Sequence, residues 1–325
     1  AKRRVKERDR HKMKKISVLI PCYNEEKSIW EMYHRLKKIF EEELTQYDYE
    51  IIYVDDFSKD NTRVEIEKLC TEDEKVKAVF NAKNFGFDRN VFQSYQYATG
   101  DCAFMLFGDL QDPPEMLPEF VKKWEEGYKC IVGQRKRSDE NHFMYGLRRL
   151  YYKVVDTKQI EMVNGFGLYD RVFLDIMKQI KETKPFFKTI LNEYGVDLCI
   201  VQYEQSVSHR GKSNFNFLKN YDFAMHGITS STKLLMRLAT FISVFVGIVC
   251  MCLAIYIFIR KILFWDTYPL GSASIMVGIF FLGAIQLFFI GVLGEYILSI
   301  NEKVNRKPRV VVEKMINMEK KGEQE

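Results

Sequence analysis

Three short segments of this 325-residue chain gather side chains suited to a phosphorylated, hydroxyl-rich ligand. They are Pro21-Cys22-Tyr23-Asn24-Glu25-Glu26, then Val54-Asp55-Asp56-Phe57-Ser58-Lys59-Asp60-Asn61-Thr62, and Asp109-Leu110-Gln111-Asp112-Pro113-Pro114-Glu115. Their carboxylates can accept hydrogen bonds from ribose hydroxyls and base edges, and can hold a divalent cation. Mg2+ or Mn2+ prefers such oxygen ligands and would neutralise a diphosphate. Each cluster by itself also suits a turn or a helix cap. No Gly-rich P-loop and no Gly-x-Gly-x-x-Gly opens the first helix, which disfavours ATP or NAD sites of those kinds.

The spacing of apolar runs says what must position these clusters. Ile16–Ile20, Glu50–Val54, Val76–Phe80, Ala103–Phe107 and Cys130–Val132 read as buried strands. Between them lie amphipathic stretches: a helix that Ser28 can cap, with Ile29, Tyr33, Leu36 and Phe40 on one face, and helices over 62–70, 89–98 and from Pro113-Pro114 to Trp124. Strand and helix in alternation imply an α/β fold with a mostly parallel, doubly wound sheet. Ligands of such sheets bind beyond the carboxyl ends of the strands. Asn24-Glu25-Glu26, Asp55-Asp56, Asn84 and Asp109 to Asp112 all fall at those ends, and four clusters in succession point to a site.

Composition narrows the class. Residues 1–15 hold nine Lys and Arg against two Asp and Glu, so the other 310 residues carry 40 basic and 42 acidic side chains. The formal charge of +5 therefore belongs to an N-terminal arm, expected over 1–13, and a nucleic-acid-binding basic face on the body is disfavoured. Seven cysteines without a Cys-x-x-Cys pair signal neither a zinc site nor a disulfide framework.

The last third is different. Leu238–Ile259 and Ile275–Gly294 contain no Asp, Glu, Lys or Arg. As helices each would span about 30 Å, the thickness of a hydrocarbon core. The alternative is a pair of buried core helices. We expect two transmembrane helices, over about 238–259 and 272–298, forming a hairpin. Residues 215–237, with Phe215, Phe217, Tyr221 and Phe223 beside Lys219, Lys233 and Arg237, suit a juxtamembrane amphipathic helix or an ordinary packing helix. Lys233, Arg237, Lys303, Arg306, Lys307 and Arg309 flank the hairpin. By the positive-inside rule they place residues 14–214 and the tail 301–325 in the cytoplasm, at a cell inner membrane.

In this ordered motif set the chain resembles the family-2 glycosyltransferases of GT-A fold, and within them the membrane-anchored polyprenyl-phosphate glycosyltransferases. The resemblance covers about residues 14–310. It implies a GT-A catalytic domain over 14–214, a UDP- or GDP-sugar donor, a polyprenyl phosphate acceptor, inverting transfer, a divalent metal and a possible homo-oligomer. By position, Pro21, Tyr23, Glu25 and Asp55 would line the nucleoside pocket, with Asp56 supporting it. Asp109 matches the last acidic residue of the family's Asp-x-Asp metal motif, and Gln111 a further metal or diphosphate contact. Arg210, in His209-Arg210-Gly211-Lys212-Ser213, matches a basic loop that contacts phosphates, and Lys212 lies in the same loop. Arg135 and Arg137 are further phosphate candidates, or a solvated charge cluster. Asp112 would orient the acceptor or serve as a base, or it caps the following helix.

Several positions depart from the family pattern. The first Asp of Asp-x-Asp is Phe107. Many relatives have Gly-Asp-Phe-Arg where this chain has Asn164-Gly165-Phe166-Gly167, and some have Lys where it has Phe87. The changes imply altered donor or acceptor geometry. Two other readings stand beside lipid-phosphate transfer: transfer to a glycan or lipid hydroxyl, and a nucleotide-sugar-binding membrane scaffold.

Overall fold

The computed structural model describes residues 13–135, 163–180, 187–194, 197–204, 272–304 and 310–318, with single positions at 245, 249, 252, 259, 263 and 308. The chain divides into two compact units. The first comprises 1–145, 157–215 and 305–325, and the second 146–156 and 216–304.

The first unit is built on an eight-stranded sheet. Its strands are β1 (Lys15–Cys22), β2 (Asp48–Asp55), β3 (Val76–Asn81), β4 (Cys102–Met105), β5 (Cys130–Arg135), β6 (Val163–Asp170), β7 (Leu198–Tyr203) and β8 (Val312–Ile316). The order across the sheet is β7-β5-β6-β4-β1-β2-β3-β8. β1 pairs in parallel with β2 and β4, β2 with β3, and β5 with β7. β6 runs antiparallel between β4 and β5, and β8 antiparallel along β3. The expected mostly parallel α/β sheet is present.

The helices are α1 (Ile29–Glu42), α2 (Thr62–Glu72), α3 (Phe87–Ser94), α4 (Leu117–Glu125), α5 (Arg171–Gln179) and α6 (Phe187–Tyr194). α1 buries Ile29, Tyr33, Leu36 and Phe40, the face its spacing predicts. Ser28 stands at its N-cap but its side chain does not cap it. The hydroxyl lies instead against the carbonyls of Glu25 and Gly108, tying the first crossover loop to the loop after β4. β1 and β2 are buried almost end to end, as strands covered on both faces must be.

The other end of the sheet is held by one buried carboxylate. Glu50, 1% exposed, accepts from the Ser17 hydroxyl at 2.6 Å, Lys77 Nζ at 2.7 Å, and the Thr99 hydroxyl and amide at 2.7 and 2.9 Å. Burial by itself would raise its pKa. Hydrogen bonds from Lys77, Ser17 and Thr99 overcome that and bring it down to about 2.

In the second unit α7 (Ser272–Val304) is helical without a break and contains the second apolar run. Ile275, Ile279, Leu282, Ile290, Leu293 and Ile297 are exposed along it at helical spacing. Of the first run only Phe245, Val249, Cys252 and Ile259 are described, all helical and exposed. Among the described residues, no helix is long and apolar enough to cross a membrane. The expected two-span hairpin is therefore not shown, and residues 215–237 lie outside the described residues. The tail does not end as a simple extension, because 312–316 adds β8 to the sheet.

A carboxylate with a depressed folded pKa supplies stability above its unfolded value and loses it on acidification. For Glu50 that contribution is complete above 4.5 and fades as pH falls toward about 2. Glu50→Gln should cost roughly 3 kcal/mol at neutral pH. The gap between variant and wild type should close across that acid window, read from urea midpoints. A gap that does not change with pH would refute the assignment.

Candidate active site

The strand order reverses between β1 and β4: β2 and β3 follow on one side of β1, and β4 lies on the other. The crossover loops leaving β1 and β4 must then diverge, which opens a crevice at their carboxyl ends. Gly108 sits in that crevice. A Cβ there would lie 3.0 Å from Cys22 Cβ and 3.4 Å from Glu25 Cγ, so any larger residue would press on the first loop and glycine lets Asp109 follow this close to it.

The loops after β1 and β2 are stitched together. The Asn24 amide donates to Ser58 Oγ at 2.8 Å, and the Lys59 amide donates back to Asn24 Oδ1 at 2.8 Å. The Glu25 amide donates to Thr62 Oγ1 at 2.7 Å. Asn24 and Phe57 hold positive φ, 56° and 64°, to make these turns. The contacts set Pro21, Tyr23 and Glu25 beside the end of β2.

The two adjacent carboxylates at that end have separate partners. Asp55 is fully buried and accepts from the Ser58 hydroxyl, the Ser58 amide at 3.1 Å and Arg63 Nε at 2.9 Å. Arg63, on the first turn of α2, also donates to the Asn81 carbonyl at 2.7 Å and to Glu313 Oε2 at 3.0 Å. Asp56 accepts from the amides of Phe85 and Gly86 and from Asn81 Nδ2, all within 3.1 Å. Burial raises its pKa, those donors oppose the rise, and the neighbouring Asp55 charge adds a smaller increase. Asp56 thus shapes the loop after β3.

The third cluster closes the crevice. Asp109 is half-buried and accepts from Gln111 Nε2 at 2.9 Å and the Gln111 amide at 3.3 Å. Leu110 turns through φ 55° between them. Asp112 does not cap the helical turn that follows, whose N-cap is Pro113. Its carboxylate is 1% exposed and accepts from the Tyr203 hydroxyl and from Asn164 Nδ2 at 3.1 Å. Tyr203 is the register partner of Arg135 across β7 and β5, and antiparallel β6 starts next to them, which delivers Asn164. The Tyr203 pKa is raised by burial first and by Asp112 next, with Arg135 opposing. The Asp109 pKa is raised by burial first and by the Asp112 charge, with the Gln111 amide and Arg135 opposing.

The structure therefore brings Asp109, Gln111, Asp112 and Arg135 together at the ends of β4 and β5, next to Pro21, Tyr23, Glu25 and Asp55 at the ends of β1 and β2. Arg137, His209, Arg210 and Lys212 lie outside the described residues. Sequence reasoning missed Arg63, Tyr203 and Glu313. Tyr203 carries no motif and becomes visible only once β7 is paired in register with β5.

The apolar departures meet in space. The rings of Phe107 and Phe87 are 5.2 Å apart. A Cβ on Gly165 would face Phe107 Cζ at 3.8 Å and Phe187 at 3.9 Å. Gly167 has a different constraint: a Cβ there would lie 2.3 Å from the Ile131 carbonyl oxygen and 3.0 Å from Val132 Cα.

The fold and site define an α/β protein with carboxylates from three crossover loops gathered at the ends of its central strands. Sequence comparison supplies the family. Residues 17–195 match the model described as glycosyl transferase family 2. The chain is 32% identical over 305 residues to the SfII prophage-derived bactoprenol glucosyl transferase of Shigella flexneri, covering 92% of this chain and 98% of that one. It is 32% identical over 306 residues to the prophage bactoprenol glucosyl transferase homolog of Escherichia coli (strain K12), covering 93% and 99%. It is 30% identical over 313 residues to the uncharacterized glycosyltransferase YkcC of Bacillus subtilis (strain 168), covering 94% and 95%. The chain belongs to glycosyl transferase family 2 and is a glycosyltransferase.

A carboxyl with a raised pKa stays protonated to higher pH, so the acid limb of kcat/KM should lie above the ordinary aspartate range. Arg135→Gln removes a neighbour that lowers Asp109 and should move that limb upward; a limb that stays put would remove Arg135 from the site. Gly167→Ala should cost about 3 kcal/mol or more from overpacking against backbone. Gly165→Asp should cost about 1–3 kcal/mol, the strain of a side chain at φ 102°. Thermal melts of both variants would reveal the order, and the reverse order would contradict the packing.

Proposed function

We propose that this glycosyltransferase moves a sugar from a nucleotide-sugar donor to a polyprenyl phosphate, with inversion, at the cytoplasmic face of an inner membrane. The observation that carries this reading is the extent of the match to bactoprenol glucosyl transferases. It spans 98% of the Shigella flexneri relative and 92% of this chain, well beyond the family domain at 17–195. The match thus takes in the apolar runs as well as the sheet.

Membrane attachment is further supported by the second unit's surface. Exposed Ile and Leu side chains recur along α7, and Phe245, Val249, Ile259 and Leu263 are exposed in helical conformation before it. Such a surface needs an apolar solvent. The chain leaves the first unit before residue 216 and rejoins it from 305. A membrane excursion in between must therefore cross an even number of times, as a hairpin does.

The nucleoside would sit among Pro21, Tyr23, Glu25 and Asp55, with the diphosphate toward Asp109 and Gln111. No group of three or more His, Cys, Asp or Glu among the described residues could hold a metal. With Phe107 in the motif, the protein offers one carboxylate and, if the Gln111 amide rotates, one amide oxygen. That set fits Mg2+ or Mn2+, which keeps waters and takes much of its shell from substrate phosphates. When bound, the cation would offset charge on the departing diphosphate. Arg135, Arg210 and Lys212 would add positive charge to the same leaving group.

A phosphate monoester is largely dianionic at neutral pH, its second pKa being about 6. Its oxygen needs no base before attacking the anomeric carbon opposite the leaving group. The protein must chiefly align the two reactants and exclude water. Asp112 suits that task, since its carboxylate holds Tyr203 and Asn164 in place. A hydroxyl acceptor would instead require a free base, and those contacts count against Asp112 in that role.

The test is full-length protein in lipid nanodiscs with undecaprenyl phosphate, Mg2+ or Mn2+, and a panel of labelled UDP- and GDP-sugars, UDP-glucose first. Label should appear in the lipid extract as an acid-labile phosphate-linked sugar. EDTA should abolish it, and Asp109→Asn should lower it by about a hundredfold. Label found only in acid-stable glycosidic products would move the assignment to hydroxyl transfer. Donor binding without turnover would favour the scaffold.

A further inference from the structure

The strand β8, near the C-terminus, reaches the side chains that hold Asp55. β8 enters the sheet at its ligand end, with Val312 paired to Asn81. The next residue, Glu313, ion-pairs with Arg63 at 3.0 Å. That guanidinium bridges three strand ends: Asp55 of β2 at 2.9 Å, the Asn81 carbonyl of β3 at 2.7 Å, and Glu313 of β8. It is also stacked near two rings, 5.2 Å from the centroid of Phe57 and 5.3 Å from that of Phe80.

We propose that Glu313 is a positioning residue for the nucleotide donor: it holds Arg63 so that Arg63 fixes the buried carboxylate of Asp55 toward the nucleoside. The proposal rests on the donor reading above and adds to it a C-terminal contribution to the pocket. Geometry makes the case. Asp55 cannot turn without breaking its Arg63 bond, and among the described residues Arg63 has one hydrogen-bond partner outside the β2–β3 region, Glu313. Docking of β8 does not depend on that pair. Lys314 pairs with Glu67 at 2.8 Å, and the Asn317 side-chain amide donates to the carbonyls of Cys70 and Val76 at 2.7 and 2.9 Å. Glu313 is half exposed, so its pair with Arg63 is a weak contributor to stability. Its effect belongs in the pocket it orders.

The experiment compares Glu313→Ala, Glu313→Gln and Lys314→Ala in the full chain in nanodiscs. UDP and GDP are titrated calorimetrically with MgCl2 present, and donor KM and kcat are measured in the lipid-phosphate assay. Glu313→Ala should weaken nucleotide binding and raise donor KM about fivefold, the upper end of an exposed pair's worth, with kcat within about twofold. Glu313→Gln, which keeps an acceptor oxygen, should fall between. Lys314→Ala sits on the same strand and pairs away from the pocket, so its Kd and KM should stay at wild-type values. Equal effects from Lys314→Ala would reduce β8 to a docking strand and overturn the proposal. So would unchanged nucleotide binding in Glu313→Ala, while leaving the donor reading intact. A wild-type chain that binds neither UDP nor GDP would overturn both.

Discussion

The close approach of β4 to β1 at Gly108 is the constraint on which the site depends. A parallel sheet cannot bring two crossover loops together at its switch point, because the helices they feed pack on opposite faces. What crosses the gap here is backbone. With no Cβ at Gly108, the chain passes against Cys22 and Glu25, and the Ser28 hydroxyl meets the Gly108 carbonyl from the first loop. Asp109 is thereby carried to the same mouth as Glu25 and Asp55. A larger residue would press on Cys22 and Glu25 and shift Asp109 away from them.

The apolar side chains around this mouth pack on one another. The ring of Phe107 is met by that of Phe87, and Gly165 faces both Phe107 and Phe187. A lone carboxylate among these rings would be buried without a partner, at considerable cost. An apolar set avoids that cost. Gly167 is explained separately, since β6 passes so close to β5 that no side chain fits.

How much could be read in advance follows from how each element is buried. β1 to β5 were legible because strands covered on both faces are short apolar runs, and the first three site clusters were legible because they terminate such runs. β6 was not: Val163-Asn164-Gly165-Phe166-Gly167 carries two glycines where strand propensity is poor, and only its register between β4 and β5 holds it extended. β7 lies at the sheet edge and β8 at the other, and Val312-Glu313-Lys314-Met315-Ile316 has polar side chains where an edge permits them. Tyr203, Asn164 and Glu313 belong to these three strands. Tyr203 and Glu313, which sequence reading missed, thus come from strands without an apolar signature, while Arg63, also missed, comes from α2 and is recognised only by its contacts with Asp55, Asn81 and Glu313.

That division bears on the charge of the chain. The body is nearly neutral, and its acidic side chains at the ligand end are held by internal donors: Arg63 on Asp55, backbone amides on Asp56, Tyr203 and Asn164 on Asp112. Asp109, raised in pKa by burial and by Asp112, has weaker support from Gln111 and Arg135. Asp55, Asp56 and Asp112 thus draw their donors from the fold itself, and among these four carboxylates Asp109, at the close approach of β4 to β1, is the least supported.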